Sequence, residues 1–124
     1  MKIFLISPVK KTDPATQERI GKYVASLENA GHKVHWPIRD TVQIDPTGGY
    51  EICKVNFAGI MDADEIHIWY DETSGGSKFD MGGVFMLVEM LDWKKKIVIV
   101  NETEIVDDAP KSFCKVFRHL IEGE

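Results

Sequence analysis

The sequence predicts an α/β fold in three layers: a parallel sheet of four to five strands with helices on both faces. Three observations carry this expectation. The runs Lys2–Ser7, Glu65–Tyr70 and Lys96–Val100 are short and almost continuously apolar, as strands covered on both sides are. Segments of helical period alternate with the strands along the whole chain, the pattern of a parallel sheet with crossover helices. A length of 124 residues suits one such domain and is enough to bury a core.

The elements follow in order. Lys2 to Ser7 is the first strand, stopped by Ser7-Pro8. Lys10-Lys11-Thr12-Asp13-Pro14 is a turn, with Asp13 as helix cap and Pro14 at the first helical position. Ala15 to Ala30 is a helix with Ile20, Tyr23, Val24 and Leu27 on one face, ended by Gly31. His32 to Trp36 is a second strand. Pro37 to Gly49 is a polar loop long enough to serve as a lid. Tyr50 to Met61 returns to helical spacing through Ile52, Val55, Phe57 and Ile60.

Asp62-Ala63-Asp64 leads into the third strand, Glu65 to Tyr70, which a Gly/Ser turn follows. A helix is expected from about Lys78 to Trp93, then a fourth strand, a loop over Asn101–Ala109, and a last helix over Pro110–Glu122. The expected strand order is 2-1-3-4, a flavodoxin-like or Rossmann-like arrangement with its switch point between the first and third strands. Ser7-Pro8 and the segment Asp71–Ser77 then share the crevice where ligands of open α/β sheets bind.

Composition narrows the function. A net charge of −5 argues against a polymeric nucleic acid as partner but leaves room for a single small anion held by backbone amides. The two cysteines, Cys53 and Cys114, suggest neither a disulfide framework nor a zinc site, and the expected compartment is the cytoplasm. The apolar start, Met1 to Pro8, is too short for a signal peptide or a membrane span. His32, His35, His67 and His119 have no metal-ligand spacing, so neither a metal nor another cofactor is expected.

The stretch Asp71–Val84 concentrates the chemistry. A strand, a Gly/Ser turn and a helix start in succession present backbone N–H groups to an anion, with Ser74 and Ser77 as further donors. Asp80 admits two readings. In the first, Ser77 caps the helix and Asp80 reaches back to it, as in a capping box. In the second, Asp80 is a functional carboxylate; spacing by itself favours the cap. Asp71 at a strand end invites a phospho-acceptor reading, but Ser7-Pro8 stands where an acidic pair would be needed. In the helix after Asp80, Met81, Val84, Phe85, Val88 and Leu91 form an apolar stripe that Phe79, Met86 and Met90 widen. A helix apolar around most of its girth is buried on more than one side, which suggests a homodimer packed through it.

Ala63-Asp64, Ser74-Gly75-Gly76 and Phe79-Asp80-Met81-Gly82 stand at the spacing of the nucleoside 2-deoxyribosyltransferase superfamily, which includes a deoxynucleoside 5′-monophosphate N-glycosidase branch. Ile3 to Pro8 also resembles that family's first strand and turn, so the resemblance covers most of the chain and is specific over about twenty residues. It implies cleavage or transfer of an N-glycosidic bond on a nucleoside or nucleotide, with a carboxylate nucleophile at Asp80. It further implies orienting roles for Asn56 and Asp64, sugar or phosphate contacts from Ser7, Pro8, Ser74, Gly76 and Ser77, and stacking on Tyr70 or Trp69. The chain departs from the family at two of these positions: Asp80 replaces a glutamate, and Asn56 replaces a second carboxylate. It also lacks the arginine of the monophosphate branch, for which Lys10 or Lys11 would substitute. The competing expectation, from a different class, is a catalytically silent nucleotide-binding or interaction domain that keeps the pocket.

Overall fold

The computed structural model describes residues 1–10, 12–106 and 108–123; Lys11 of the first turn and Asp107 of the loop after the fourth strand lie outside the described residues. Strands β1 (Lys2–Ile6), β2 (Lys33–His35), β3 (Glu65–Ile68) and β4 (Lys96–Ile99) make one parallel sheet in the order β2-β1-β3-β4, as the sequence predicts. Ile6 stands beside Ile68, and Ile68 beside Ile99.

The apolar runs are continuous because the sheet has a core on each face. Phe4 and Ile6 of β1 enter one core, and Ile3 and Leu5 enter the other. The second core is closed by α1 (Pro14–Asn29) through Ile20 and Val24. The first is closed by α3 (Tyr50–Asp62), α4 (Gly75–Leu91) and α5 (Phe113–Glu122), through Ile60, Met81, Val84, Val88, Phe117 and Leu120. Full burial of side chains of this size contributes about 1.5–3 kcal/mol each. Between α3 and α4 the approach is too close for a side chain at Gly83, where a Cβ would lie 1.9 Å from Phe57 Cε1.

Local signals set most of the boundaries. Asp13 caps α1 as expected, its Oδ1 accepting the Thr16 N–H at 2.8 Å. In α5 the cap is Ser112, whose Oγ accepts the Lys115 N–H at 3.1 Å, so this helix starts three residues later than the Pro110 expected. The Pro37–Gly49 loop is not structureless. It opens with a short helix, α2 (Pro37–Asp40), where Asp40 Oδ2 accepts the Trp36 N–H at 2.8 Å and Arg39 grips Glu28 at 3.0 and 3.1 Å.

The largest departure is at α4, which begins at Gly75 rather than near Lys78. Its cap is Ser74, whose Oγ accepts the Ser77 N–H at 3.2 Å. The expected apolar stripe also splits. Met81, Val84 and Val88 face the core, whereas Phe85 and Leu91 join Phe79, Met86 and Met90 on the exposed side.

Candidate active site

At the carboxyl ends of β1 and β3 lies a cavity of about 350 Å³. Its floor comes from Ser7 and from Thr73 to Ser77, one wall from Asn56 and Cys53 of α3, and another from Phe79 and Asp80 of α4. Pro37 and Gln43 close it from the loop after β2. This is the switch point of the sheet, where β1 sends its chain toward β2 and β3 sends its own toward β4.

The helix start fixes what Asp80 can be. With Ser74 as cap, Gly75, Gly76 and Ser77 form the first turn, and no acidic residue lies in it. Asp80 is a turn too far along to reach the cap, so the capping-box reading of Ser77 and Asp80 fails. Its side chain turns inward instead. Asp80 is only 7% exposed, and among the described residues its carboxylate has no hydrogen-bond partner. Burial alone pushes its pKa up to about 7. The thiol of Cys53 is raised as well, first by burial and then by the nearby charge of Asp80.

Hydrogen-bond donors line the same cavity. Ser7 is buried, and its Oγ has no hydrogen-bond partner. Among the described residues two other buried side-chain atoms share that condition, Gln17 Oε1 and Trp36 Nε1, but of the three only Ser7 lines the cavity. Buried polar atoms without partners are uncommon, and one opening on a cavity is the expected state of a ligand contact. Gly75 and Gly76 add the free amides of a helix N-terminus. Lys10 lines the same cavity, exposed.

Of the residues expected at the site, Ser7, Asn56, Ser74, Gly76, Ser77 and Asp80 converge on the cavity. Pro8 is buried behind Ser7, and its carbonyl accepts from Gln17 Nε2 at 2.9 Å. Asp64 is elsewhere. It precedes β3 at the opposite edge of the sheet, where its Oδ2 accepts the Lys2 N–H at 2.8 Å, so it ties the two strand starts together. Tyr70 and Trp69 also fall outside. Both border a separate depression of about 610 Å³ beyond β3. There the Tyr70 hydroxyl donates to Glu72, and Trp69 packs under the Arg19 guanidinium at 5.2 Å. The aromatic ring that does line the Asp80 cavity is Phe79, 59% exposed.

Sequence reasoning missed Thr41, Cys53 and Gln43. Thr41 Oγ1 lies 2.9 Å from Asn56 Oδ1, and Gln43 is held through its Nε2 by the carbonyls of Pro37 and Thr41, both at 3.0 Å. No local pattern singles out Thr41 and Gln43; only the return of the loop over α3 does.

No protein-family model matches the chain, and no curated protein matches it. Among solved structures, it is similar to the 2-deoxyribosyltransferase of the psychrotolerant bacterium Bacillus psychrosaccharolyticus. The likeness has a TM-score of 0.60 at 19% identity and covers 97% of this chain and 96% of that one. At this identity the likeness is one of fold: the chain has the same α/β architecture as that deoxyribosyltransferase.

Proposed function

We propose that this chain cleaves or transfers the N-glycosidic bond of a nucleoside or nucleotide, with Asp80 as the attacking carboxylate. The observation that carries the proposal is a buried, unpartnered carboxylate facing a cavity at the switch point of the sheet. A cavity of about 350 Å³ is in the range of small-molecule sites, roughly 300–1,000 Å³. The fold likeness to a 2-deoxyribosyltransferase supports the same reading.

In the proposed reaction, ionised Asp80 attacks the anomeric carbon as the C1′–N bond breaks. The base leaves with the bonding pair and is protonated from solvent. The resulting glycosyl ester passes to water, or to a second base in a transfer. Asn56 donates a hydrogen bond to the ligand but cannot act as a base. Ser7, Ser74, Ser77 and the Gly75 and Gly76 amides bind sugar or phosphate oxygens, and Phe79 stacks on the base. Asp80 is one methylene shorter than the glutamate of the family it resembles, so the sugar must sit closer to the α4 backbone.

The test is incubation with a panel of nucleosides, deoxynucleosides and their monophosphates, followed by chromatography for free base. Release that disappears in Asp80→Ala supports the enzyme. Tight binding without release at high protein concentration would sink it in favour of a silent binding domain. We further propose a homodimer packed through the exposed face of α4, because Phe79, Met86 and Met90 fall on one exposed side of the helix, flanked by exposed Phe85 and Leu91, and Phe79 lines the cavity. Sedimentation showing only monomer at micromolar concentration would refute the dimer.

A further inference from the structure

Asn56 does not stand alone in the cavity wall. Thr41 Oγ1 is 2.9 Å from Asn56 Oδ1 and 2.8 Å from His35 Nε2, and both Thr41 and Asn56 are buried. The three groups come from the end of β2, the following loop and the middle of α3. A threonine hydroxyl has one proton to give. If that proton goes to the Asn56 carbonyl, the hydroxyl oxygen must accept from His35, and His35 must carry its proton on Nε2. The alternative runs the other way: a bare Nε2 takes the Thr41 proton, and the amide turns so that its NH₂ group donates to Thr41. Its carbonyl oxygen would then share the cavity with the Asp80 carboxylate, two acceptors facing one ligand.

We propose that His35 and Thr41 are positioning residues that hold Asn56 with its NH₂ group in the cavity, making that wall a hydrogen-bond donor to a ligand oxygen. The donor stands where the family that the sequence resembles has a carboxylate acceptor, so the polarity of this contact is inverted in this chain. His35 is kept neutral first by burial, with Arg39 acting in the same direction and Asp40 against it. A neutral imidazole bears a single proton, so its choice of nitrogen sets the sense of the whole relay. Imidazole tautomer and amide orientation are linked through one hydroxyl; fixing either fixes the other.

The proposal deepens the glycosidic reading, and its kinetic arm rests on that reading, whereas its spectroscopic arm does not. In a long-range ¹H–¹⁵N spectrum of the labelled wild-type protein at pH 8, with His35 assigned through its own Cβ, the expected tautomer carries hydrogen on Nε2. A bare Nε2 overturns the relay whether or not the protein turns over any substrate. In the kinetic arm, Thr41→Val should lower kcat/KM for base release by about five- to tenfold, the size of one net hydrogen bond. Thr41→Ser, which restores the hydroxyl, should recover it to within about threefold, a rescue that a purely structural role for Thr41 does not require. Normal release by wild type with an unchanged Thr41→Val removes the relay and leaves the glycosidic reading standing. If wild type releases no base, the glycosidic reading fails and the tautomer alone decides the relay.

Discussion

Replacing Asp80 by asparagine should stabilise the protein, and more so as the pH rises. Burial raises the Asp80 pKa to about 7, from 3.8 for an unperturbed carboxyl. Between those two values the folded state holds a proton that the unfolded state has released, so stability falls as pH rises through this window. One pKa unit corresponds to about 1.4 kcal/mol, so the cost of keeping this carboxyl buried is roughly 2 kcal/mol at pH 5 and roughly 4 kcal/mol at pH 8. It vanishes below the unfolded pKa. Asparagine has the same shape and never ionises, so Asp80→Asn escapes a penalty that grows by roughly 2–3 kcal/mol between pH 5 and pH 8. Other titrating groups cancel when variant and wild type are compared at each pH. The assay is urea unfolding of both proteins at the two pH values. With a slope of about 1–3 kcal/mol per molar urea, the difference in midpoints should widen by roughly 1 M or more. Parallel pH profiles for the two proteins would refute the claim that burial raises the Asp80 pKa.

Three further outcomes follow from the same structure. If ionised Asp80 is the nucleophile, kcat/KM for base release should rise roughly tenfold per pH unit up to about 7 and then level off; a flat profile from pH 5.5 to 8.5 would exclude it. Gly83→Ala gains up to about 1 kcal/mol of helix propensity but must displace the Phe57 ring, and overpacking of this kind costs about 1–3 kcal/mol. A net loss of thermal stability is therefore expected, together with altered ligand binding, because Phe57 packs edge-on against Phe79 at 5.7 Å. Met86→Glu with Met90→Glu, on the exposed face of α4, should shift a dimer toward monomer in sedimentation while leaving the circular dichroism spectrum unchanged; a monomeric wild type refutes the premise.

The sheet was legible because its signal is redundant. Phe4, Ile6, Ile66, Ile68, Ile97 and Ile99 all face one core, and a run of alternating cores reads as a continuous apolar strand. The α4 boundary was harder to read, since Ser74 and Ser77 are each good caps and lie one helical turn apart. Spacing cannot choose between them. The outcome depends on where the chain leaves β3, a tertiary matter, and it reverses the reading of Asp80. Asp64 and Tyr70 fall outside the Asp80 cavity for another reason. Each adjoins β3 in sequence, but Asp64 lies at the amino end of the strand, away from the cavity, and Tyr70 is held by Asn101 and Glu72 at the separate depression beyond β3. The His35–Thr41–Asn56 relay left no sequence signal, because its members sit in three elements and meet only when the loop folds over α3.

The energetic position of Asp80 also bears on whether the domain acts or merely binds. Five other aspartates show how this chain usually treats a carboxylate: Asp13, Asp40, Asp45, Asp64 and Asp71 each accept at least one backbone N–H. At Asp13 and Asp45 such hydrogen bonds hold the carboxyl below its ordinary pKa, and at Asp40 they do so against burial. Asp80 receives no such help, although its burial costs about 4 kcal/mol near neutral pH, a sizeable part of the roughly 5–15 kcal/mol that holds a domain together. A module that only bound a ligand could place asparagine at this position, keep the shape and most of the hydrogen bonding, and avoid that cost. What asparagine cannot supply is a full negative charge next to a carbon that becomes cationic as its bond to a leaving base breaks. A strained carboxylate whose pKa lies close to the working pH is the arrangement in which that charge has chemical use. On the glycosidic proposal, the stability gained in Asp80→Asn and the loss of base release expected in the same variant are two readings of one cause, the burial that raises the Asp80 pKa.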